Sequence, residues 1–119
     1  MTVSAPAGYD PARVLETIGA VLRPGEVPYP RPETVDQHIR VLKGYLESLA
    51  MYARAGMDEL PEDSPERAPR RDALEHAEHV MQRSPGCGLR SATSHSRALA
   101  RAAERLLPYA EKCQGRTWP

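Results

Sequence analysis

One periodic stretch, Thr34 to Leu60, constrains the fold of this chain more than any other feature. Its apolar residues recur at steps of three and four, which places them on one face of an α-helix. They are Val35, Ile39, Leu42, Leu46, Leu49, Ala53, Met57 and Leu60. Thr34 and Gln37 form a capping-box pattern at the start, and Pro61 predicts the end. The stretch therefore predicts a helix about 40 Å long that forms the spine of a small bundle.

Three further helices are predicted beside this spine. Asp10 followed by Pro11 is typical of an N-cap with proline at the first helical position. The short helix after it carries an apolar set at Val14, Leu15, Ile18, Val21 and Leu22. Ser64-Pro65-Glu66 predicts a turn by the same logic, before a third helix over residues 70–83. A fourth is predicted over residues 89–113, with a kink at Pro108 in its last turn.

These patterns predict an all-α fold, since no stretch of the sequence shows the alternation of a strand. We expect an antiparallel up-down bundle with one short helix, one long spine and two helices of medium length. The bundle should occupy residues 10–113, between a flexible tail at 1–9 and a C-terminal tail at 114–119. Residues 23–33 contain four prolines, and we expect a stiff, extended strap there rather than a ligand for a proline-recognising domain. Whether the strap and Trp118 dock on the bundle stays open.

The composition predicts a thin hydrophobic core. The 119 residues include only 20 Val, Ile and Leu residues, no Phe, and 16 Ala. Small cores often need a second chain, so we expect a homodimer. Lys plus Arg equals Asp plus Glu at 16 each, which argues against a general attraction to nucleic acid or to an anionic membrane.

The two cysteines, Cys87 and Cys113, suggest no disulfide framework. The first ten residues lack the basic and apolar regions of a secretion signal, and no apolar run has the length of a membrane span. We therefore expect a soluble cytoplasmic protein with reduced thiols.

Two stretches, residues 35–53 and 70–111, together cover about two thirds of the chain and carry a resemblance. The most distinctive part is the turn Pro-Gly-Cys-Gly-Leu-Arg-Ser-Ala at Pro85 to Ala92, followed by Leu-Ala-Arg at Leu99 to Arg101. The chain resembles a family of small all-helical actinobacterial proteins labelled natural product biosynthesis proteins. The resemblance implies an all-helical fold and a link to natural-product biosynthesis. It implies no catalytic residues, because that family has no assigned activity.

The first candidate site lies on the predicted third helix, where Asp72, His76 and His79 share a face with Glu75 nearby. Histidine and carboxylate ligands at this spacing can bind Zn²⁺ or Fe²⁺. The Glu-x-x-His motif of di-iron bundles is missing, however. We expect a solvated charged face and no metal site.

The turn into the fourth helix is the best candidate for ligand binding. Gly86 and Gly88 precede a helix N-terminus, whose free amides and dipole favour an anion. Hydrogen-bond donors crowd the two turns that follow, and the residues predicted to contact a ligand are Arg90, Ser91, Thr93, His95 and Arg97, with Ser94 beside them. The segment lacks the features of a nucleotide-binding P-loop. The ordinary alternative is a glycine turn before a serine-rich helix start.

Two other patterns on the fourth helix are explained without a specific function. Arg97, Arg101 and Arg105 share a face, as in a basic recognition helix, but Glu104 lies among them and no helix-turn-helix spacing precedes them. Cys87 near a helix N-terminus could have a reactive thiol. His95 is eight residues away, though, and no third residue is evident to orient it.

The sequence therefore favours a non-enzymatic interaction or accessory protein that self-associates, with no catalytic residue and no cofactor. One alternative is a module that binds a small molecule or an anion through Gly86 to Arg97. Another is an accessory protein that contacts DNA through the fourth helix. A second protein is also an eligible partner.

Overall fold

The computed structural model describes residues 10–23, 31–84 and 86–117. Over these residues the fold is all-α, with four packed helices and no strands. The helices are α1, Pro11–Leu22; α2, Pro32–Asp58; α3, Arg67–Gln82; and α4, Gly88–Thr117. The all-α prediction is confirmed. Of the proline-rich strap predicted at 23–33, residues 24–30 lie outside the described residues, as do the first nine residues and Trp118. The end of the strap was predicted wrongly, because Pro32 and Glu33 belong to α2.

Local sequence explains where the first two helices begin. The Asp10 carboxylate accepts a hydrogen bond from the amide of Ala12 at 3.0 Å, and Pro11 follows it, as predicted. The capping-box prediction for α2 was wrong, because the helix begins two residues before Thr34. Pro32 occupies the first turn with its φ already helical, and the extended Arg31 serves as the N-cap without a side-chain bond.

The apolar stripe of α2 forms the centre of the hydrophobic core. Six of its eight predicted members are buried, while Met57 and Leu60 are half-buried. Leu42, Leu46 and Leu49 have no exposed surface. The other helices contribute Val14 and Ile18 from α1, Leu74, Ala77 and Val80 from α3, and Leu99, Leu106 and Ala110 from α4. Leu15 was predicted on the apolar set of α1, but 54% of its surface is exposed.

The largest helix interface joins α2 and α4, and α4 also packs against α1 and α3. With 30 residues, α4 is slightly longer than the 27-residue α2. It starts one residue before and ends four residues after the predicted limits, and it continues through Pro108. The bundle is therefore organised around the long helix α2, as predicted, with α4 as its main packing partner.

The connection between α2 and α3 is fastened by an arginine. The guanidinium of Arg67 donates to the backbone carbonyls of Met57 at 3.1 Å and Leu60 at 2.9 Å. It thereby ties the first turn of α3 to carbonyls around the end of α2, where the Met57 carbonyl also accepts from the amide of Leu60 at 3.0 Å. The predicted turn at Ser64 forms, and its hydroxyl accepts from the amide of Glu66 at 3.3 Å. It leads directly into α3, which begins three residues earlier than predicted.

Candidate anion-binding site

A glycine turn sets the relative position of the end of α3 and the start of α4. Gly86 has a φ of +79° and Gly88 a φ of +90°, a backbone region that L side chains rarely adopt. A Cβ added to Gly86 would lie 3.3 Å from the Cβ of Ser91. The turn thus lets the backbone approach the first turn of α4 closely. The amides in that first turn have no partners within the helix, as at every helix N-terminus.

A cavity of about 500 Å³ lies beside this turn, and we call it the α3–α4 pocket. Residues from the end of α3 and from three successive turns of α4 line it: Arg83, Ser84, Arg90, Ser91, Ser94, His95 and Ala98. Arg83 follows α3 directly with extended backbone, and its amide donates to the carbonyl of Val80 at 3.2 Å. The pocket therefore combines two guanidinium groups, three hydroxyls and one imidazole.

Three of the five predicted ligand residues, Arg90, Ser91 and His95, line this pocket. Thr93 and Arg97 do not. Thr93 is half-buried and its carbonyl accepts from the hydroxyl of Ser96 at 2.8 Å, while Arg97 is exposed. In an α-helix, residues 90, 91, 94, 95 and 98 share a face from which 93 is turned away, whereas 97 follows two turns after 90 at the edge of that face. Helical spacing could therefore have removed Thr93 from the prediction, but not Arg97.

The contribution of α3 was missed by sequence reasoning. Arg83 and Ser84 lie before the Pro-Gly pair and belong to the preceding helix and its end. The hydroxyl of Ser84 lies 3.5 Å from the amide of Gly86, which donates to it. A chain that reverses at Gly86 and Gly88 must bring these residues near the start of α4. The two glycines were the available signal for this proximity.

His95 is the most unusual residue of the pocket. Only 6% of its surface is exposed, and its Nε2 atom is buried with no hydrogen-bond partner among the described residues. Buried polar atoms nearly always have a partner, and an exception calls for an explanation. Burial, followed by the positive charges of Lys43 and Arg83, holds the pKa of His95 below its usual value. The imidazole is therefore neutral at pH 7, in positive surroundings.

The histidines of α3 have a different environment. His76 and His79 are both exposed, and the pKa of His76 is lowered by burial, then by Arg105 and His79. The nearby cation Arg105 disfavours a second cation such as Zn²⁺. Within the described ranges, no three His, Cys, Asp or Glu residues are arranged to hold a metal ion.

The arginine row of α4 faces solvent. Arg97, Arg101 and Arg105 are exposed, and Glu104 in the same stretch pairs with Arg23 at 3.5 Å. The thiol of Cys87 is free and exposed. It belongs to the turn, and it is not among the residues that line the α3–α4 pocket.

None of the helices in the described part of the chain combines the length and apolarity needed to cross a membrane. Comparison with curated proteins and with solved structures finds no match. One family model matches residues 12–115, which include all four helices except the first residue of α1 and the last two of α4. The chain belongs to this family, which is described as a family of unknown function, DUF6415.

Proposed function

We propose that this protein is a non-enzymatic binding module that holds a small anionic molecule in the α3–α4 pocket. The observation that carries the proposal is that Arg83, Arg90 and the buried His95 line one cavity near a helix N-terminus, where the Nε2 atom of His95 has no hydrogen-bond partner among the described residues. No carboxylate lines the cavity within the described residues. Its charge is therefore positive, and an anion is the ligand that it favours.

The donors of the pocket suit an anion with several oxygen atoms. A guanidinium presents five N–H donors in a planar fork, and a serine hydroxyl can turn to donate. Ser84, Ser91 and Ser94 add three such hydroxyls beside the two arginines. Because Gly86 and Gly88 fix the turn, the backbone of α3 and α4 is in place before a ligand arrives, which reduces the entropic cost of binding.

The proposal is tested by titrating the ¹⁵N-labelled protein with sodium phosphate at pH 7, with sodium chloride at equal ionic strength as the reference. We expect amide shifts concentrated at residues 88–95 and saturation at millimolar phosphate or below. Arg90→Gln should weaken binding about tenfold or more, because a hydrogen bond to a charged group contributes about 1.5–3 kcal/mol.

Arg97→Gln is the matched control, since it removes the same charge from an exposed position of α4 outside the pocket. It should leave phosphate binding within about twofold of the wild type, because a guanidinium outside the pocket donates no hydrogen bond to the ligand and its charge is screened at moderate salt. Equal losses in both variants would show a diffuse charge effect and contradict a defined site. Shifts that match those in chloride would contradict it as well.

Four other expectations from the sequence remain proposals beside this one. Self-association is supported by the exposed apolar side chains of Leu15, Met51 and Leu89, which are 54%, 48% and 38% exposed. A role in natural-product biosynthesis is supported by the resemblance of residues 35–53 and 70–111, and a pocket for a charged small molecule is compatible with it. A location in the cytoplasm also stays a prediction. DNA binding through α4 has weaker support, because Glu104 interrupts the arginine row and the net charge is zero.

A further inference from the structure

The proposed function leads to a more specific inference, which rests on it. This inference concerns the chemical class of the ligand and the protonation of His95 when the ligand binds. We propose that the α3–α4 pocket binds a tetrahedral oxyanion group, a phosphate or sulfate group carried by an organic ester, and that His95 takes up one proton as this group binds. The evidence is the place of His95 in the pocket, its lack of a partner and the charges around it.

The arrangement of hydrogen-bond donors in the pocket favours a tetrahedral group over a carboxylate. The pocket offers guanidinium and hydroxyl donors from the end of α3 and from successive turns of α4. A carboxylate has two oxygen atoms in one plane, whereas a phosphate or sulfate ester has three terminal oxygen atoms that point in different directions. Donors that converge from two helices match the second arrangement better.

The cavity is larger than an isolated oxyanion needs. An isolated oxyanion has five heavy atoms, and at the ~30 Å³ that a water molecule occupies in the liquid it would fill roughly 150 Å³. The cavity holds about 500 Å³. The remaining space accommodates an organic group, and Ala98 offers it an apolar contact at the far end of the lining.

The charges around His95 link its protonation to the binding of an anion. Lys43 from α2 and Arg83 at the end of α3 act on the ring, and Arg90 from α4 lines the same cavity. Burial of the ring, followed by the charges of Lys43 and Arg83, opposes its protonation, so its pKa lies below the usual value. The negative charge of a bound phosphate or sulfate group offsets the cations, and its oxygen atoms can accept a hydrogen bond from the imidazolium, which raises that pKa.

The consequence follows by linkage between the two binding events. Because the ligand favours the protonated ring, protonation favours the ligand by the same factor. Affinity should therefore rise as the pH falls, by up to about tenfold per pH unit while one proton is coupled. No covalent bond forms or breaks. The proton comes from the buffer and is taken by the ring nitrogen that carries none.

Inorganic sulfate is the probe that tests this coupling, because it stays a dianion throughout the pH range used. Sulfate affinity is measured by calorimetry between pH 5.5 and 8, and the His95 ring is titrated by NMR with and without saturating sulfate. We expect affinity to increase at least fivefold from pH 8 to the lower end, and the pKa of His95 to rise by about one pH unit. His95→Gln should bind sulfate with an affinity that does not depend on pH. His79→Gln, a substitution at an exposed position of α3, should keep the pH dependence of the wild type.

A second arm compares inorganic phosphate with phenyl phosphate at pH 7, and the ester should bind at least as tightly. A much weaker ester would overturn the ester assignment and favour free inorganic phosphate. Sulfate binding that is independent of pH, with an unchanged His95 pKa, would overturn the coupling and leave the proposed function standing. If neither sulfate nor phosphate binds at any pH, the proposed function itself fails. The NMR titration uses the wild type, so the test does not depend on His95→Gln folding.

Discussion

Two arginines of α3, one helical turn apart, show how differently the same side chain can be accommodated. Arg67 is half-buried and makes two hydrogen bonds of ordinary length, to Met57 and Leu60. Arg70 is only 3% exposed, and the one side-chain hydrogen bond that it makes to the described residues, to the carbonyl of Ala53, is 3.4 Å long. Its guanidinium lies 5.1 Å from the ring centre of Tyr109, and its buried Nε has no hydrogen-bond partner among the described residues.

We expect the same substitution to lower the free energy of unfolding much more at Arg67 than at Arg70. Arg67→Met should destabilise the fold by about 1.5–3 kcal/mol, because it removes charge-assisted hydrogen bonds to carbonyls at the end of α2. Arg70→Met should cost less than about 1 kcal/mol. Its weak hydrogen bond and cation–π contact are offset by relief of a buried charge and an unpartnered donor.

Urea unfolding followed by circular dichroism measures both changes under identical conditions. Methionine keeps an unbranched apolar chain in each case, so packing changes little. If Arg70→Met lost 3 kcal/mol or more, the guanidinium of Arg70 would be a net stabilising group, and the importance of its contact with Tyr109 would have been underestimated.

At the level of elements, the turn between α3 and α4 depends on two glycines for its backbone. Gly88→Ala should destabilise the fold by about 1–2 kcal/mol, because a Cβ at a φ of +90° is strained even though no heavy atom lies within 4 Å of it. Gly44→Ala is the matched control, since Gly44 lies inside α2 with equally open space around it. That change should stabilise by about 0.5–1 kcal/mol, owing to the higher helix propensity of alanine.

Thermal and urea unfolding of the two variants decide this prediction. We expect the two changes in the free energy of unfolding to have opposite signs, although each substitution adds the same methyl group. Stabilisation by both substitutions would mean that position 88 adopts an ordinary helical φ, and that the turn does not constrain the pocket.

The elements of this fold were largely predictable, because apolar periodicity is a local property of the chain. The stripe from Val35 to Ala53 predicted the buried face of α2, and Asp10 with Pro11 predicted the start of α1. The start of α2 was missed because a proline at the first position competes with a capping box two residues later. Leu15 was missed because periodicity cannot tell which edge of an apolar face a neighbouring helix covers.

Only the part of the site that is contiguous in sequence could be predicted. Arg90, Ser91 and His95 follow the glycine turn in sequence, so an N-terminal anion site could be inferred from them. Arg83 and Ser84 enter the pocket because the chain reverses between two helices, which is a tertiary property. The burial of His95 depends on how α4 packs against the rest of the bundle, and the sequence pattern carries no information on it.

At the scale of the whole molecule, the core is thin. Eight of the 21 buried apolar residues in the described part of the chain are alanine, at positions 50, 53, 73, 77, 100, 102, 103 and 110. Alanine allows close approach of helices but buries little apolar surface, so each contributes less than a leucine would. Meanwhile Met51 on α2 remains 48% exposed, while Tyr45 and Tyr52 of the same helix pack partly against the core.

We therefore expect a homodimer in which α2 contributes to the interface through Met51. Burial of this side chain in a partner would add apolar surface that the single chain lacks, and two-fold dimers are the commonest solution for such a protein. Light scattering after size exclusion at micromolar concentration should give about twice 13.2 kDa. Met51→Glu should shift the protein to the monomer, because each copy would bring an unpaired charge into the interface. Arg71→Glu, an exposed change on α3, should leave the mass unchanged. A wild-type mass that stays near 13 kDa as the concentration rises would contradict the dimer and favour a different protein as the partner of this face.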